Sequence, residues 1–255
     1  MKRLALLYSG QPRHLKECHQ NHFLNFHEAN TEWQIDIFAH IWHEENMSGS
    51  NFSGKHKNRG QWDSDLIKFI NEQWEPKKIV IEAPKEFSSN WKPDKRFPHP
   101  INNILSMFYS LEKANKLKQE YENRKNFKYD CVVRLRTDEF FKDKIGPINN
   151  YPLNTINVLD EFAHLSYGIN DHFAFGNSIN MDKFLNVYSN LSNIINEGSA
   201  INPETLLGWN ALKYHKLEIT KHKFNYCLWR DINNTGIQKS LLRKITSFIS
   251  SRNFL

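Results

Sequence analysis

Three short polar segments, each at the border of an apolar run, carry the residue types needed to bind phosphate and to move a proton. Ser9-Gly10-Gln11-Pro12-Arg13 follows the apolar run from Leu4 to Tyr8. Gly10 lets backbone approach a ligand, amides at the start of a following helix attract phosphate, and Arg13 offers a bidentate guanidinium. The segment matches neither the GxxxxGK signature of a P-loop nor a GxGxxG fingerprint, and a plain tight turn explains it equally well. Arg134-Leu135-Arg136-Thr137-Asp138 ends the apolar run that begins at Tyr129. Strand alternation puts Val132, Arg134, Arg136 and Asp138 on one face. Two arginines on a buried strand are costly unless they meet anions. They meet either Asp130 or Asp138 in an internal salt bridge, or the phosphates of a ligand, with Asp138 then on a metal or a sugar hydroxyl.

The third segment, Asn170-Asp171-His172, opens the run Phe173 to Asn177. Asp171 is expected to act as general base on an acceptor hydroxyl, the alternative being a turn in which it caps backbone amides. Glu204, behind Pro203, is the rival carboxylate and is expected to hold acceptor hydroxyls. A first-turn glutamate is also what a helix dipole favours. His40 and Trp42 share a strand face with Asp36. His40 is expected in the pocket, as structure or as a donor contact without a catalytic role, with Trp42 beside it.

The elements that must position these residues follow from hydrophobic period. Strands are predicted over 3–8, 33–42, 77–83, 129–141, 156–161, 171–177 and 217–229. Helices are predicted over 14–29, from Asp63, over 101–122, over 178–196 and over 203–214. In the long helix Ile104, Phe108, Leu111, Ala114, Leu117 and Tyr121 form one apolar stripe. Strands alternating with helices over the first 140 residues predict a single Rossmann-like α/β domain with a mostly parallel sheet. A ligand then lies beyond the carboxyl ends of the strands, where Ser9 to Arg13, His40 to Trp42 and Arg134 to Asp138 stand. Residues 1–235 read as this domain, with a donor half over about 1–142 and an acceptor half over 143–235. Residues 43–60 read as a polar loop, and 236–255 as a basic amphipathic tail suited to an anionic membrane surface.

Composition narrows the classes. Hydrophobic residues make up 39% of the 255 and charged ones 24%, as in a globular domain. The 18 Phe, 9 Tyr and 7 Trp supply a ring-rich core and rings able to stack on a base or a sugar. Cys18, Cys131 and Cys227 are odd in number and far apart, which suits reduced thiols in the cytoplasm. The N-terminal apolar run is too short for a signal peptide, and nothing approaches the roughly 20 apolar residues of a membrane span. A net charge of +6 admits nucleic acid, an anionic membrane or a phosphorylated substrate. No aromatic RNP-type strand or zinc-finger spacing supports the first, so nucleic acid is not an expected partner.

Six motifs recur in order: Tyr8-Ser9-Gly10 with Arg13, DxFxHxW (Asp36, Phe38, His40, Trp42), NxxSM (Asn103, Ser106, Met107), YDxVVRxRxD (Tyr129 to Asp138), NDxFAFGN (Asn170 to Asn177) and PExLL (Pro203 to Leu207). Together they resemble small bacterial and viral GT-A-type glycosyltransferases of surface-glycan synthesis. The resemblance implies a nucleotide-sugar donor, a glycan or glycolipid acceptor, a catalytic carboxylate on the acceptor side, and Asn103 and Ser106 among the donor contacts. Such enzymes usually hold Mn²⁺ or Mg²⁺ through an Asp-x-Asp motif. Here that place reads Arg136-Thr137-Asp138, leaving Asp138 as the single carboxylate for a metal, with Arg134 and Arg136 able to take over the neutralising role. The one literal Asp-x-Asp, Asp63-Ser64-Asp65, reads as a helix cap. Two other readings are a sugar-phosphate nucleotidyltransferase and a non-enzymatic basic glycan- or membrane-binding module.

Overall fold

The apolar runs of the sequence become the strands of one twisted sheet in the computed structural model, which describes residues 1–43, 65–96 and 99–229. Its strands are β1 (Lys2–Gly10), β2 (Trp33–Trp42), β3 (Lys78–Glu82), β4 (Cys131–Leu135), β6 (Ile156–Leu159), β7 (Ala174–Gly176) and β8 (Ile219–His222), in the order β3-β2-β1-β4-β7-β6-β8. β1 pairs parallel with both β2 and β4, β2 with β3 and β6 with β8, whereas β7 is antiparallel to β4 and β6. A small second sheet pairs β5 (Glu139–Phe141) with β9 (Tyr226–Leu228). The fold is the expected Rossmann-like α/β domain. Among the described residues no helix is long and apolar enough to cross a membrane.

Both sheet faces are covered, which is why β1 and β4 read as unbroken apolar runs rather than alternating ones. Ala5, Leu7 and Val132 point to a face covered by α3 (Ile101–Lys125), α4 (Ser178–Leu185), α5 (Leu191–Asn196) and α6 (Pro203–Gly208). Leu4, Leu6, Val133 and Leu135 point to the other, under α1 (Leu15–His22) and α2 (Leu66–Trp74). Two predicted strands are each divided. The run 129–141 breaks at Arg136-Thr137-Asp138, and 217–229 breaks at 223–225, so that β5 and β9 can pair outside the main sheet. The predicted helix 14–29 ends its α-helical part at His22 and continues as a π turn over Phe23–His27. Most of the predicted loop 43–60, Asp63-Ser64 and the tail 236–255 lie outside the described residues.

A buried ion network fixes α3, the helix that carries Asn103 and Ser106. Lys118 is fully buried and donates to Ser178 Oγ at 2.5 Å and to Asp182 Oδ1 at 2.7 Å, with Glu122 Oε2 at 3.1 Å. Glu122 also accepts from the amide of Tyr129 at 2.9 Å, joining α3, α4 and the lead into β4. Removing one partner of a buried pair leaves an uncompensated charge. Lys118→Met should therefore cost about 3–5 kcal/mol in urea unfolding; a loss under about 1 kcal/mol would mean that water already reaches the network.

Candidate active site

Because β2 and β4 lie on opposite sides of β1, the sheet order reverses there and a crevice opens beyond the ends of β1 and β4. A cavity of about 290 Å³ occupies it. Ser9, Gly10, Arg13, Trp42, Asn103, Ser106, Arg134, Arg136, Asp138, Asp171 and Glu204 all line it. His40, expected in the pocket, does not line it. Its ring is fully buried behind the wall, where Nδ1 meets Ser110 Oγ at 2.8 Å. Burial lowers its pKa to about 4, so the ring is neutral and its 3.6 Å contact with Glu82 is no ion pair. His40 packs edge-on against Trp42 from behind the cavity wall, the structural one of its two expected places.

Four chain segments converge. Gly10 ends β1 at φ 104, a conformation that strains any residue with a Cβ, and turns the chain toward the cavity. The loop it starts is tied to the loop after β4, since the Thr137 hydroxyl donates to the Gln11 carbonyl at 2.8 Å. Trp42 closes one side, stacked on Tyr109 of α3 with centroids 5.6 Å apart. Asn103 and Ser106, three apart on α3, share a helix face. Asp171 arrives from the opposite direction: β7 is antiparallel, with Ala174 opposite Arg134, so residues just before β7 reach the same edge at which β4 ends. The amide of Ile169 donates to the Glu204 carbonyl at 3.2 Å. Gly208 lets this segment close on α6, because a Cβ there would stand 1.6 Å from the Tyr167 carbonyl oxygen. Asp171 and Glu204 are thus brought to one wall.

The arginine pair divides its work. Arg136 Nε and Nη2 bind the two oxygens of Asp138 at 2.8 and 3.1 Å, the internal salt bridge that the sequence offered as one reading. Asp138 is consequently engaged on both oxygens. Among the described residues no group of three or more His, Cys, Asp or Glu is placed to hold a metal ion. One carboxylate clamped by a guanidinium does not fit the oxygen cage of Mn²⁺ or Mg²⁺. Arg134 differs: it is 3% exposed, and its Nε and Nη1 have no hydrogen-bond partner. Burial drags its pKa down to about 10, which the charges of Asp171 and Glu139 resist. It remains a cation at neutral pH, with donors unsatisfied.

The carboxylates diverge. Burial opposes ionisation of Asp171, but His172, Arg134 and Arg136 overcome it and hold its pKa below the ordinary value. His172, its own pKa lowered by burial to about 4, lies 3.5 Å from Asp171. Burial and the neighbouring Asp171 charge lift Glu204 to about 7. Sequence reasoning missed His99 on the wall and Glu139, buried at the start of β5. Glu139 is fully buried and one oxygen lacks a partner; burial raises it to about 8 against the pull of Arg134. A charged residue directly before Phe140-Phe141 was the available signal.

Fold and cavity define an α/β protein with a cationic, carboxylate-walled crevice at its switch point. The chain belongs to the family described as Domain of unknown function (DUF7796), whose model matches residues 75–238. That match contains Arg134, Asp138, Asp171 and Glu204 and leaves out the loop after β1. A search of curated proteins finds no match.

Glu139 and Glu204 bind protons more tightly folded than unfolded, so the native state holds more protons between the ordinary carboxylate range and pH 7–8. Stability should fall as pH rises through that window. Glu139→Gln should flatten the slope between pH 5 and 8 in thermal melts; an unchanged slope would place ionised Glu139 in the native protein.

Proposed function

We propose that this chain is a glycosyltransferase that moves a sugar from a nucleotide-sugar donor to a glycan acceptor, in the synthesis of a surface polysaccharide. The observation that carries the reading is buried Arg134, with two nitrogens lacking a hydrogen-bond partner, on one side of a switch-point cavity with two carboxylates of unlike proton affinity on its wall. The nucleotide phosphates lie against Arg134, with Arg13 and the Arg136–Asp138 pair beside it. Trp42 and the face of α3 bearing Asn103 and Ser106 hold the rest of the donor.

The surroundings redistribute the roles expected of the two carboxylates. Asp171, kept ionised beside Arg134 and Arg136, is a weak base and stabilises the Arg134 charge through its field. Glu204, near 7, has the proton affinity that suits a base at neutral pH. In direct displacement the acceptor oxygen gives its proton to Glu204 and bonds the anomeric carbon. The bond from that carbon to the phosphate oxygen breaks with its electron pair. Arg134 meets the charge that develops on the leaving phosphate. No step is assigned to a metal.

With a panel of UDP-, GDP-, CMP- and dTDP-sugars, the full chain should release the free nucleotide and a glycan heavier by one sugar; release of pyrophosphate would instead mark a nucleotidyltransferase. Glu204→Gln should lower turnover about a hundredfold or more with donor affinity intact, and should abolish the acid limb of the pH profile near 7. Asp171→Asn removes a neighbouring charge and should move that limb to lower pH. A limb that stays in place while Asp171→Asn abolishes turnover would return the base role to Asp171.

A further inference from the structure

Beside the wall that carries Glu204 stands an aromatic residue in a conformation unsuited to it. Tyr167 has φ 60 and is 40% exposed, although the left-handed region strains a bulky side chain. The surrounding backbone enforces it. Its carbonyl packs on Gly208, and a Cβ on the next residue, Gly168, would lie 2.2 Å from the Phe162 carbonyl oxygen. Gly208 lies four residues after Glu204 on α6, so both occupy one helix face about 5–6 Å apart. Tyr167 is therefore held one helical turn from the proposed base.

Its ring leans on Trp209, with centroids 4.9 Å apart and planes at 54°. Polar groups edge the pair. Lys213 sits 4.1 Å over the Trp209 ring and 3.8 Å from Glu197, and Trp209 Nε1 donates to Glu197 at 3.4 Å. An exposed ring braced from behind and rimmed by charged donors and acceptors suits a pyranose. The C–H face of the sugar covers the ring, and the rim takes the hydroxyls. A protein helix would require a longer apolar stripe than one ring, and a nucleobase belongs at the phosphate side of the cavity.

We propose that Tyr167, backed by Trp209, is the platform for an acceptor sugar adjoining the one whose hydroxyl reaches Glu204. The assignment rests on the glycosyltransferase reading and deepens it. It makes the acceptor an oligosaccharide of at least two units, one carrying the reacting hydroxyl in the cavity and the next covering Tyr167 outside it. Backbone strain is part of the device: the close passage over Gly208 fixes the Tyr167 backbone against α6, and Trp209 takes the ring.

The test is binding of the full chain to an immobilised panel of defined oligosaccharides, with nucleotide-dependent thermal stabilisation measured in parallel. Wild type should bind members of the panel. Tyr167→Asn, which tolerates the left-handed backbone and deletes the ring, should weaken that binding at least about tenfold. Tyr167→Phe should stay within about threefold of wild type, and the nucleotide response should be unchanged in both variants. Equal glycan binding by Tyr167→Asn and wild type, or no panel binding by wild type while nucleotide binds, would overturn the platform and leave the transferase reading standing. Loss of the nucleotide response in wild type would remove the transferase reading itself.

Discussion

The crevice is organised around one guanidinium that the fold buries and does not satisfy. Arg134 is the penultimate residue of β4, its neighbours Val133 and Leu135 are fully buried, and two of its nitrogens have no partner. A desolvated cation of this kind costs several kcal/mol unless an anion meets it. The nearby carboxylates do not end the deficit: Asp138 is taken by Arg136, and Glu139 is driven toward its neutral form by burial. Asp171 helps only through its field. What remains is a donor set aimed at the end of β4, where the sheet topology opens a cavity.

The same charge sets the character of the acid–base pair. Arginines keep Asp171 ionised; ionised Asp171, with burial, keeps Glu204 protonated up to about pH 7. Burial and the surrounding charges thereby separate two carboxylates that stand on one wall, the division of labour on which the proposed mechanism rests. The geometry is enforced by backbone rather than by side-chain contacts. The Ile169–Glu204 hydrogen bond and the close passage of Tyr167 over Gly208 hold the segment before β7 against α6.

Much of this is legible in the sequence, because period and strand-end polarity are local properties. The sheet, the long helix and the cavity-lining role of Ser9, Arg13, Arg134 and Asp171 follow from runs such as RLALLY and YDCVVRLR with polar residues directly behind them. What is not legible depends on partners distant in the chain. β5 leaves the main sheet because β9 offers it an edge, which no local pattern in EFF reveals. Asn21, Asn25 and Asn30 look like ordinary helix residues, yet their side chains accept the amides of Phe141, Ile145 and Ile148 and steer the chain after β5. His40 has a strand-end position fit for ligand contact, and only Ser110 on α3 explains why it faces inward. The proton affinities of Asp171 and Glu204 depend on burial and on each other, so their roles could not be ranked from residue type.

The most direct measurement compares thermal melts of wild type and Arg134→Met in increasing inorganic pyrophosphate. Without anion the variant should melt above wild type, because an unsatisfied buried charge has been replaced by an apolar side chain of similar length. Pyrophosphate should raise the melting temperature of wild type and move that of the variant far less. An equal rise in both proteins, or a variant that melts lower while neither protein responds to the anion, would contradict an anion site built on Arg134.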